Sequence, residues 1–377
     1  MIQRTLLSKI VKNQRDGFVT VIYGARRVGK TILLEQLKTK WKDQKALFLN
    51  GDVEETRNLL GTTSEIKLER AANGYDVVFV DEAQRIPNIG LSLKILIDKF
   101  PKKRFVVTGS SSLELSQGMH ENLTGRNFTY KLFPLSTKEI SENFEDFKIP
   151  SLLEDQLIFG GYPYLRQLNT ANEKQKYLSS IVEDYLFRDI LLLERIVDSE
   201  ILKKMATLIS FQIGSVVSLN ELSRNLGIDV KTVARYLSLL EKSFIIFSVG
   251  SFSSNLRKEL ARSKKYYFYD LGIRNALIGQ FLPLNMRGDV GSLWENFLFV
   301  ERLKKQEYSD QFSQFYFWRN YQKREIDMIE KRNQEIRAFE FKWDKNKFIT
   351  PKLFLEKYRV KADVVNKDNY LDFVLSK

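Results

Sequence analysis

Short apolar runs alternate with amphipathic stretches along the first third of the chain. The β-branched and aromatic residues of "GFVTVIYG" read as a buried strand. Behind it, Ile32, Leu33, Leu37 and Trp41 recur at helical spacing and predict one buried stripe. "YDVVFVDEAQ" gives a second strand at 77–80, and "KRFVVTGSSS" a third at 105–108. Between them "LSLKILIDKFP", 91–101, reads as an amphipathic helix that Pro101 helps to stop. Strand and helix alternate, so the pattern predicts an α/β sheet with ligand at the strand ends.

From 139 to about 172 the pattern is helical, broken by the turn "FGGYPY", and it continues helical through "YLSSIVEDYLFRDILLLERI". Leu219, Leu222 and Leu226 then mark a short helix, Gly227 a turn, and Val230, Val233, Leu237 and Leu240 the stripe of a second helix. That is the spacing of a helix-turn-helix, and the β-rich "FIIFSV" and "KYYFYD" after it suit a wing. Further on, Leu293, Phe297, Leu298 and Leu303 form the core side of a helix. "FYFWR" and "REIDMIE" read as a hairpin. In "IRAFEFKW" alternation puts Phe339 and Phe341 on one face and Glu340 and Lys342 on the other.

Composition narrows the chemistry. The 377 residues suggest two or three domains. Cysteine is absent, which removes disulfides, zinc ribbons and thiol nucleophiles and matches a reducing cytosol. The single histidine, His120, reads as a loop or surface residue. Chemistry is left to carboxylates, Lys, Arg and Ser/Thr, with Mg²⁺ as the natural metal. The net charge of +13 fits a polyanionic partner, and equally a lysine-heavy genome. No apolar run approaches the roughly 18 residues of a membrane span. The start, "MIQRTLLSKIVKNQR", lacks the apolar core of a secretory leader and reads as a surface helix. The expected location is cytoplasmic.

The residues Gly24, Ala25, Arg26, Arg27, Val28, Gly29, Lys30 and Thr31 complete the pattern G-x-x-x-x-G-K-[ST] between a strand and a helix. Glycines let the backbone curl so that its N–H groups point at phosphate oxygens, and the helix turns its positive end toward them. Lys30 is expected at the β- and γ-phosphates of ATP, and Thr31 on Mg²⁺. Arg26 and Arg27 add positive charge beside the triphosphate. Asp81, expected at the end of a neighbouring parallel strand, would hold Mg²⁺ through water. Glu82 is placed to act as general base on the attacking water. Either Thr108 or Ser110 would sense the γ-phosphate.

The stretches "GARRVGKT", "FVDEAQRIPN", "VVTGSSS" and "LTGRNFTYKLFPLSTKEI" resemble, in order and spacing, one branch of the prokaryotic AAA-type ATPases. Members join the ATPase to a carboxyl-terminal part similar to the restriction-endonuclease fold. "FGGYPYLR", "KYYFYDLGIRNAL", "GSLWENFLFVERL" and "FYFWRNYQKREIDMI" look like that part, so the resemblance spans almost the whole chain. It implies an α/β architecture of four pieces: a P-loop AAA-type ATPase core over 1–140, a helical lid or linker over 141–210, a winged helix-turn-helix over 211–270, and a smaller restriction-endonuclease-like α/β domain over 271–377. It also implies that Arg126 neutralises charge on the transferring phosphoryl group, in its own subunit or in a neighbour of a homo-oligomer, or else merely pairs with a carboxylate. Thr137 departs from the usual Phe of the family, a change expected to touch packing.

In the winged helix, Lys231, Thr232 and Arg235 would face double-stranded DNA, aided by the basic run Arg257, Lys258, Arg262, Lys264 and Lys265. Residues 215–265 hold nine Lys/Arg against four Asp/Glu, which favours phosphate contact. In the last part, a helix Glu295, a strand Asp327 and the pair Glu340 and Lys342 make the constellation of a Mg²⁺-dependent nuclease. Trp318, Arg319 and Lys323 either contact a nucleic-acid strand or are a packed aromatic with solvated charges. The resulting expectation is an Mg²⁺-dependent ATPase acting on or near DNA. Two alternatives stay open: a nucleotide-gated switch working through protein partners with an inactive nuclease-like part, and an ATP-regulated nuclease.

Overall fold

The computed structural model describes residues 2–110, 122–142, 149–183, 199–253, 264–309, 311–345 and 347–375. His120, Arg257, Lys258 and Arg262 lie outside the described residues. Two compact units emerge, the first spanning residues up to Leu135 and the second built mainly from Ser136 onward.

The first unit is a five-stranded, wholly parallel sheet of order β2-β3-β4-β1-β5. Its strands are β1 (Val19–Tyr23), β2 (Ala46–Asn50), β3 (Val77–Asp81), β4 (Arg104–Gly109) and β5 (Asn127–Lys131). β1 and β3 are buried along their full length, as parallel strands covered on both faces must be. Helix α1 (Leu6–Asn13) precedes β1, and the crossovers carry α2 (Lys30–Lys40), α3 (Glu54–Leu60), α4 (Glu65–Ala72) and α5 (Ile89–Lys99).

Two expectations change here and one holds. On α2, Leu33, Leu34 and Leu37 are buried while Ile32 is 41% exposed, so the stripe is rotated by about one position. The amino-terminal segment forms the expected surface helix, with Leu6, Leu7 and Ile10 buried on one face and Ser8 and Lys12 exposed, and Arg4 ahead of it is buried. The strand bearing Asp81 is not next to the strand before the P-loop. β4 lies between β3 and β1, so Asp81 approaches the loop across one intervening strand.

The second unit begins with α6 (Thr137–Ser141), α7 (Ile149–Phe159), α8 (Ala171–Ile181) and α9 (Ser199–Phe211). Next come β6 (Val216–Val217), α10 (Leu219–Leu226), α11 (Val230–Lys242), β7 (Ile246–Ser251) and β8 (Lys264–Phe268). Then follow α12 (Leu271–Leu277), α13 (Val290–Tyr308), β9 (Gln314–Arg319), β10 (Glu325–Arg332), β11 (Glu335–Phe341), α14 (Lys352–Tyr358), β12 (Ala362–Val365) and α15 (Tyr370–Leu375). Gly227, at φ +66°, ends α10 in the left-handed conformation that the tight turn into α11 requires.

One seven-stranded sheet, β12-β11-β10-β9-β7-β8-β6, runs through this unit. β7 pairs antiparallel with β8 and parallel with β9 through Gly250 and Ser251. The expected boundary at 270/271 therefore falls inside a continuous sheet, and residues 136–140, expected in the first domain, belong to the second unit.

The stretches "FGGYPY" and "DLGIRNAL" prove to be two halves of one clasp. Asp270 caps α12 by accepting from the Ile273 amide and also accepts from the Gly161 amide at 2.8 Å. Gly160 sits at φ +78° with its Cα against that carboxylate, where any side chain would collide with Asp270. Asn275 donates to the Leu157 and Ile158 carbonyls, closing the end of α7. Arg274 and Arg287 both grip Asp289. Burial opposes the Asp289 charge, but the two guanidinium groups outweigh it and bring its pKa down to about 2. Thr137 is buried, with its amide on Glu301 and its hydroxyl on Gln156, so its role here is packing and bonding within the second unit.

Candidate nucleotide site and a second acidic cluster

The loop after β1 curls through two left-handed residues, Arg27 (φ +62°) and Gly29 (φ +96°). Gly29 opens α2, and no side chain caps that helix, which leaves its first N–H groups available to an anion. Lys30 is 5% exposed and donates to the carbonyls of Gly24 (2.9 Å) and Ala25 (3.0 Å), so its ammonium lies folded within the loop. Arg4 braces the loop from below, donating to the Val28 carbonyl and to that of Phe133, each at 2.6 Å. Sequence reasoning missed Arg4; the signal was an arginine just ahead of the apolar Leu6, Leu7 and Ile10.

The Thr31 hydroxyl donates to Asp81 Oδ2 at 2.6 Å. The Thr108 hydroxyl donates to Asp81 Oδ1, and the Glu82 amide is directed at that oxygen and at Thr108 Oγ1. Of the two expected phosphate sensors, Thr108 is thus tied to Asp81. Ser110 instead accepts from Gln84 Nε2 at 3.0 Å. The same amide nitrogen bonds Glu82 Oε2, and Gln84 Oε1 is buried with no partner. Glu82 is itself left-handed at φ +49°. Left-handed geometry in a non-glycine residue costs energy, and here it falls at two positions of one site. Gln84 is the second residue that sequence reasoning missed; it follows the acidic pair by two positions in "DEAQ".

Arg126 stands elsewhere. Its backbone accepts from Val19 at the amino end of β1, whereas the P-loop follows the carboxyl end. A five-residue strand separates them by about 16 Å. Its guanidinium pairs with Asp98, and both side chains are half exposed. Of the readings left open for Arg126, the pairing with a carboxylate is the one seen, and its place at the far end of the sheet does not suit action on a phosphoryl group in its own subunit.

In the second unit the four expected acid and lysine positions converge, but with additional company. Glu295 on α13 accepts from Tyr267 at 2.6 Å and from Lys265 at 3.0 Å, and Lys265 also pairs with Glu325. Lys265 is 1% exposed. Burial disfavours its charge, but Glu295, Glu325 and Asp327 more than compensate and raise its pKa. The expectation that Lys265 meets DNA phosphates is wrong for that reason. Asp327 sits where the β9–β10 register slips between Ile326 and Ile329, a bulge that re-aims side chains. It accepts from the Phe341 amide. Burial, then Glu295 and Glu340, push its pKa well above the usual carboxylate range. Burial also raises Glu340, although Lys342 bonds its Oε1 at 2.5 Å. Glu340 Oε2 is buried without a partner. Among the described residues no group of three or more acidic or histidine side chains is arranged to hold a metal ion.

On α11, Lys231 is exposed, while the Thr232 hydroxyl is engaged in donating to Asp229, whose pKa that bond lowers. Trp318 is 7% exposed and packs edge-on against Phe354, so of the two readings offered for it the packed aromatic holds.

Comparison with known proteins follows this division. Residues 16–141 match the AAA domain family. Residues 150–283 match a domain of unknown function, DUF8612, and residues 290–370 another, DUF4143. The chain is 26% identical to an uncharacterised protein of Mycobacterium tuberculosis over 329 residues, 86% of this chain and 70% of that one. It is 26% identical to one of Haemophilus influenzae, covering 79% and 78%, and 25% identical to one of Methanocaldococcus jannaschii, covering 87% and 75%. A RuvB mutant of Thermotoga maritima aligns with a TM-score of 0.31 at 16% identity, over 68% of this chain and 91% of that one.

A parallel sheet, a glycine-rich turn, an uncapped helix and a facing Asp81 define a P-loop nucleotide-binding domain. That domain is of the AAA type, and it binds ATP. No helix among the described residues is long and apolar enough to cross a membrane.

Proposed function

We propose that the chain is an AAA-type ATP hydrolase that acts on nucleic acid through its second unit. One observation carries the hydrolase reading: Lys30, Thr31, Asp81 and Glu82 converge at the open end of α2. The hydroxyl and carboxylate of Thr31 and Asp81 are oxygen ligands suited to Mg²⁺, which would neutralise charge on the terminal phosphates. Lys30 exchanges its loop carbonyls for phosphate oxygens. Glu82, steadied by Gln84, accepts the proton of the attacking water. Arg126 serves only a neighbouring subunit, if the protein assembles.

The nucleic-acid part rests on the helix-turn-helix over 219–242 with its antiparallel β7–β8 pair, read as a winged helix, and on the exposed Lys231. The test is ATP turnover with and without DNA, in the wild type and in Glu82→Gln. Expected are DNA-stimulated turnover and a variant that binds ATP but turns it over 10²- to 10⁴-fold more slowly. Unchanged turnover in the variant rejects Glu82 as base. Turnover indifferent to DNA favours a switch working through protein partners.

A second reading, Mg²⁺-dependent cleavage, has one observation in its favour. Among the described residues Glu295, Glu325, Asp327 and Glu340 are matched by Lys265, Lys342 and a longer 3.6 Å contact from Arg319, and Glu340 Oε2 is buried without a partner. Against it, Lys265 already supplies a positive charge inside the cluster. Plasmid nicking with Mg²⁺ that is absent from Asp327→Ala would establish it; no difference between the two removes it.

A further inference from the structure

A groove of about 690 Å³ opens in the second unit at the ends of β7 and β9, bounded by the β9–β10 turn and by α14. Three cations line it, Arg319, Lys323 and Lys357, with no carboxylate among its described lining residues. Lys323 and Lys357 have no carboxylate partner among the described residues, and the weak contact of Arg319 to Glu325 is 3.6 Å. Aromatic rings sit between these charges. Tyr321, at the tip of the turn, is 85% exposed. Tyr358 is half-buried, held by Phe252 at 5.1 Å, with the Lys357 ammonium 5.2 Å from its ring centre.

An 85% exposed tyrosine contributes little to folding, and unpaired lysines beside it create a local field that attracts anions. Interleaved rings and cations in a concavity suit a ligand that offers both flat faces and phosphates. Unpaired bases do so, because every base has a π-face and each nucleotide carries one negative charge. A duplex keeps its faces stacked inside and presents only its backbone to such a groove. An acidic peptide offers the charge without the faces.

We infer that this groove binds single-stranded nucleic acid, with Tyr321 and Tyr358 stacking bases while Lys323, Lys357 and Arg319 hold the phosphates. The inference rests on the nucleic-acid reading above and adds the form of the ligand and its place. It does not involve the helix-turn-helix, and it meets the buried acidic cluster only through the 3.6 Å contact of Arg319 to Glu325.

The experiment is fluorescence anisotropy of the full chain with a fluorescein-labelled dT oligomer, a duplex of the same length and a polyglutamate peptide. Tyr321→Ala is expected to weaken oligomer binding about tenfold and leave duplex binding within about twofold. Lys323→Gln with Lys357→Gln is expected to lower the slope of log affinity against log salt by about 1.4, from about 0.7 per lost phosphate contact. All three side chains lie outside the nucleotide site, so unchanged ATP binding and circular dichroism verify the fold. Oligomer binding that ignores these variants, or duplex binding with no oligomer binding, overturns the groove while leaving the nucleic-acid reading intact. No binding of either nucleic acid overturns both. Polyglutamate binding that is lost in the same variants overturns the inference in favour of an acidic protein partner.

Discussion

Asp270 is expected to make the second unit less stable as pH rises from about 4 to 6. Its carboxylate is 7% exposed, and burial pushes its pKa up to about 6 from an ordinary 3.8. The Gly161, Ile273 and Gly272 amides and the nearby Lys304 pull in the other direction and do not win. A rise of about two units is worth about 3 kcal/mol, at about 1.4 per unit. The folded pKa is above the unfolded one, so folding takes up a proton within the window. Stability is intact below about pH 4 and falls by that amount as pH passes through 6. In Asp270→Asn the titration is gone, while one of the two acceptors for Gly161 and Ile273 is lost at every pH, at a cost of about 1 kcal/mol. The variant should be about 1 kcal/mol less stable than wild type at pH 4 and about 2 kcal/mol more stable at pH 7.5. Urea denaturation followed by tryptophan fluorescence reads this directly. Trp294, Trp318 and Trp343 lie in the second unit, and Trp41→Phe silences the first. A difference between the two proteins that stays constant across the window, or moves the other way, refutes the reasoning.

Gln84→Ala should lower ATP turnover about fivefold to tenfold with ATP affinity nearly unchanged, because one oriented hydrogen bond to Glu82 is lost; an unchanged rate in a coupled ATPase assay removes Gln84 from the machinery. Lys265→Met should destabilise the second unit by about 3–5 kcal/mol, since it strands Glu295 and Glu325 without their buried cation. Urea midpoints of the two proteins at pH 7.5 check it, and equal midpoints refute it. Arg126→Ala should leave ATP binding intact, and reduce turnover only at protein concentrations where an oligomer forms. A concentration-independent loss, in turnover measured alongside sedimentation, contradicts the position of Arg126 at the far end of the sheet.

The nucleotide site was legible because its chemistry is local. A curled loop, a lysine and a hydroxyl must be adjacent in the chain, so Gly24 to Thr31 announce themselves, and the strand-end position of Asp81 and Glu82 is fixed by one apolar run. What escaped was what comes from a distance. Arg4 supports Val28 across 24 residues, and Gln84 links Glu82 to Ser110 across 26. Strand order escaped as well. Hydrophobic runs identify β1, β3 and β4, yet nothing in a buried parallel strand says which neighbour it takes, and the insertion of β4 between β1 and β3 depends on the crossovers.

The second unit misled in a more instructive way. Lys265 looked like one member of a basic run, because its neighbours Arg262 and Lys264 are basic. Alternation should have separated it. In a strand, successive side chains face opposite sides, so Lys264 and Lys265 cannot share an environment. Tyr267 lies two residues on from Lys265 and therefore on the same face, and both reach Glu295. The pairing of β7 with β9 joins β8 to the following hairpin in one sheet, where the β9–β10 pairing sets Glu325 opposite Arg319. A strand that begins as the edge of a wing thus becomes the interior of a seven-stranded sheet, and a lysine that periodicity alone assigns to one face finds its counter-charges on elements 30 and 60 residues away. Charge counted along the chain describes a surface only where the sheet stops, and here the sheet continues.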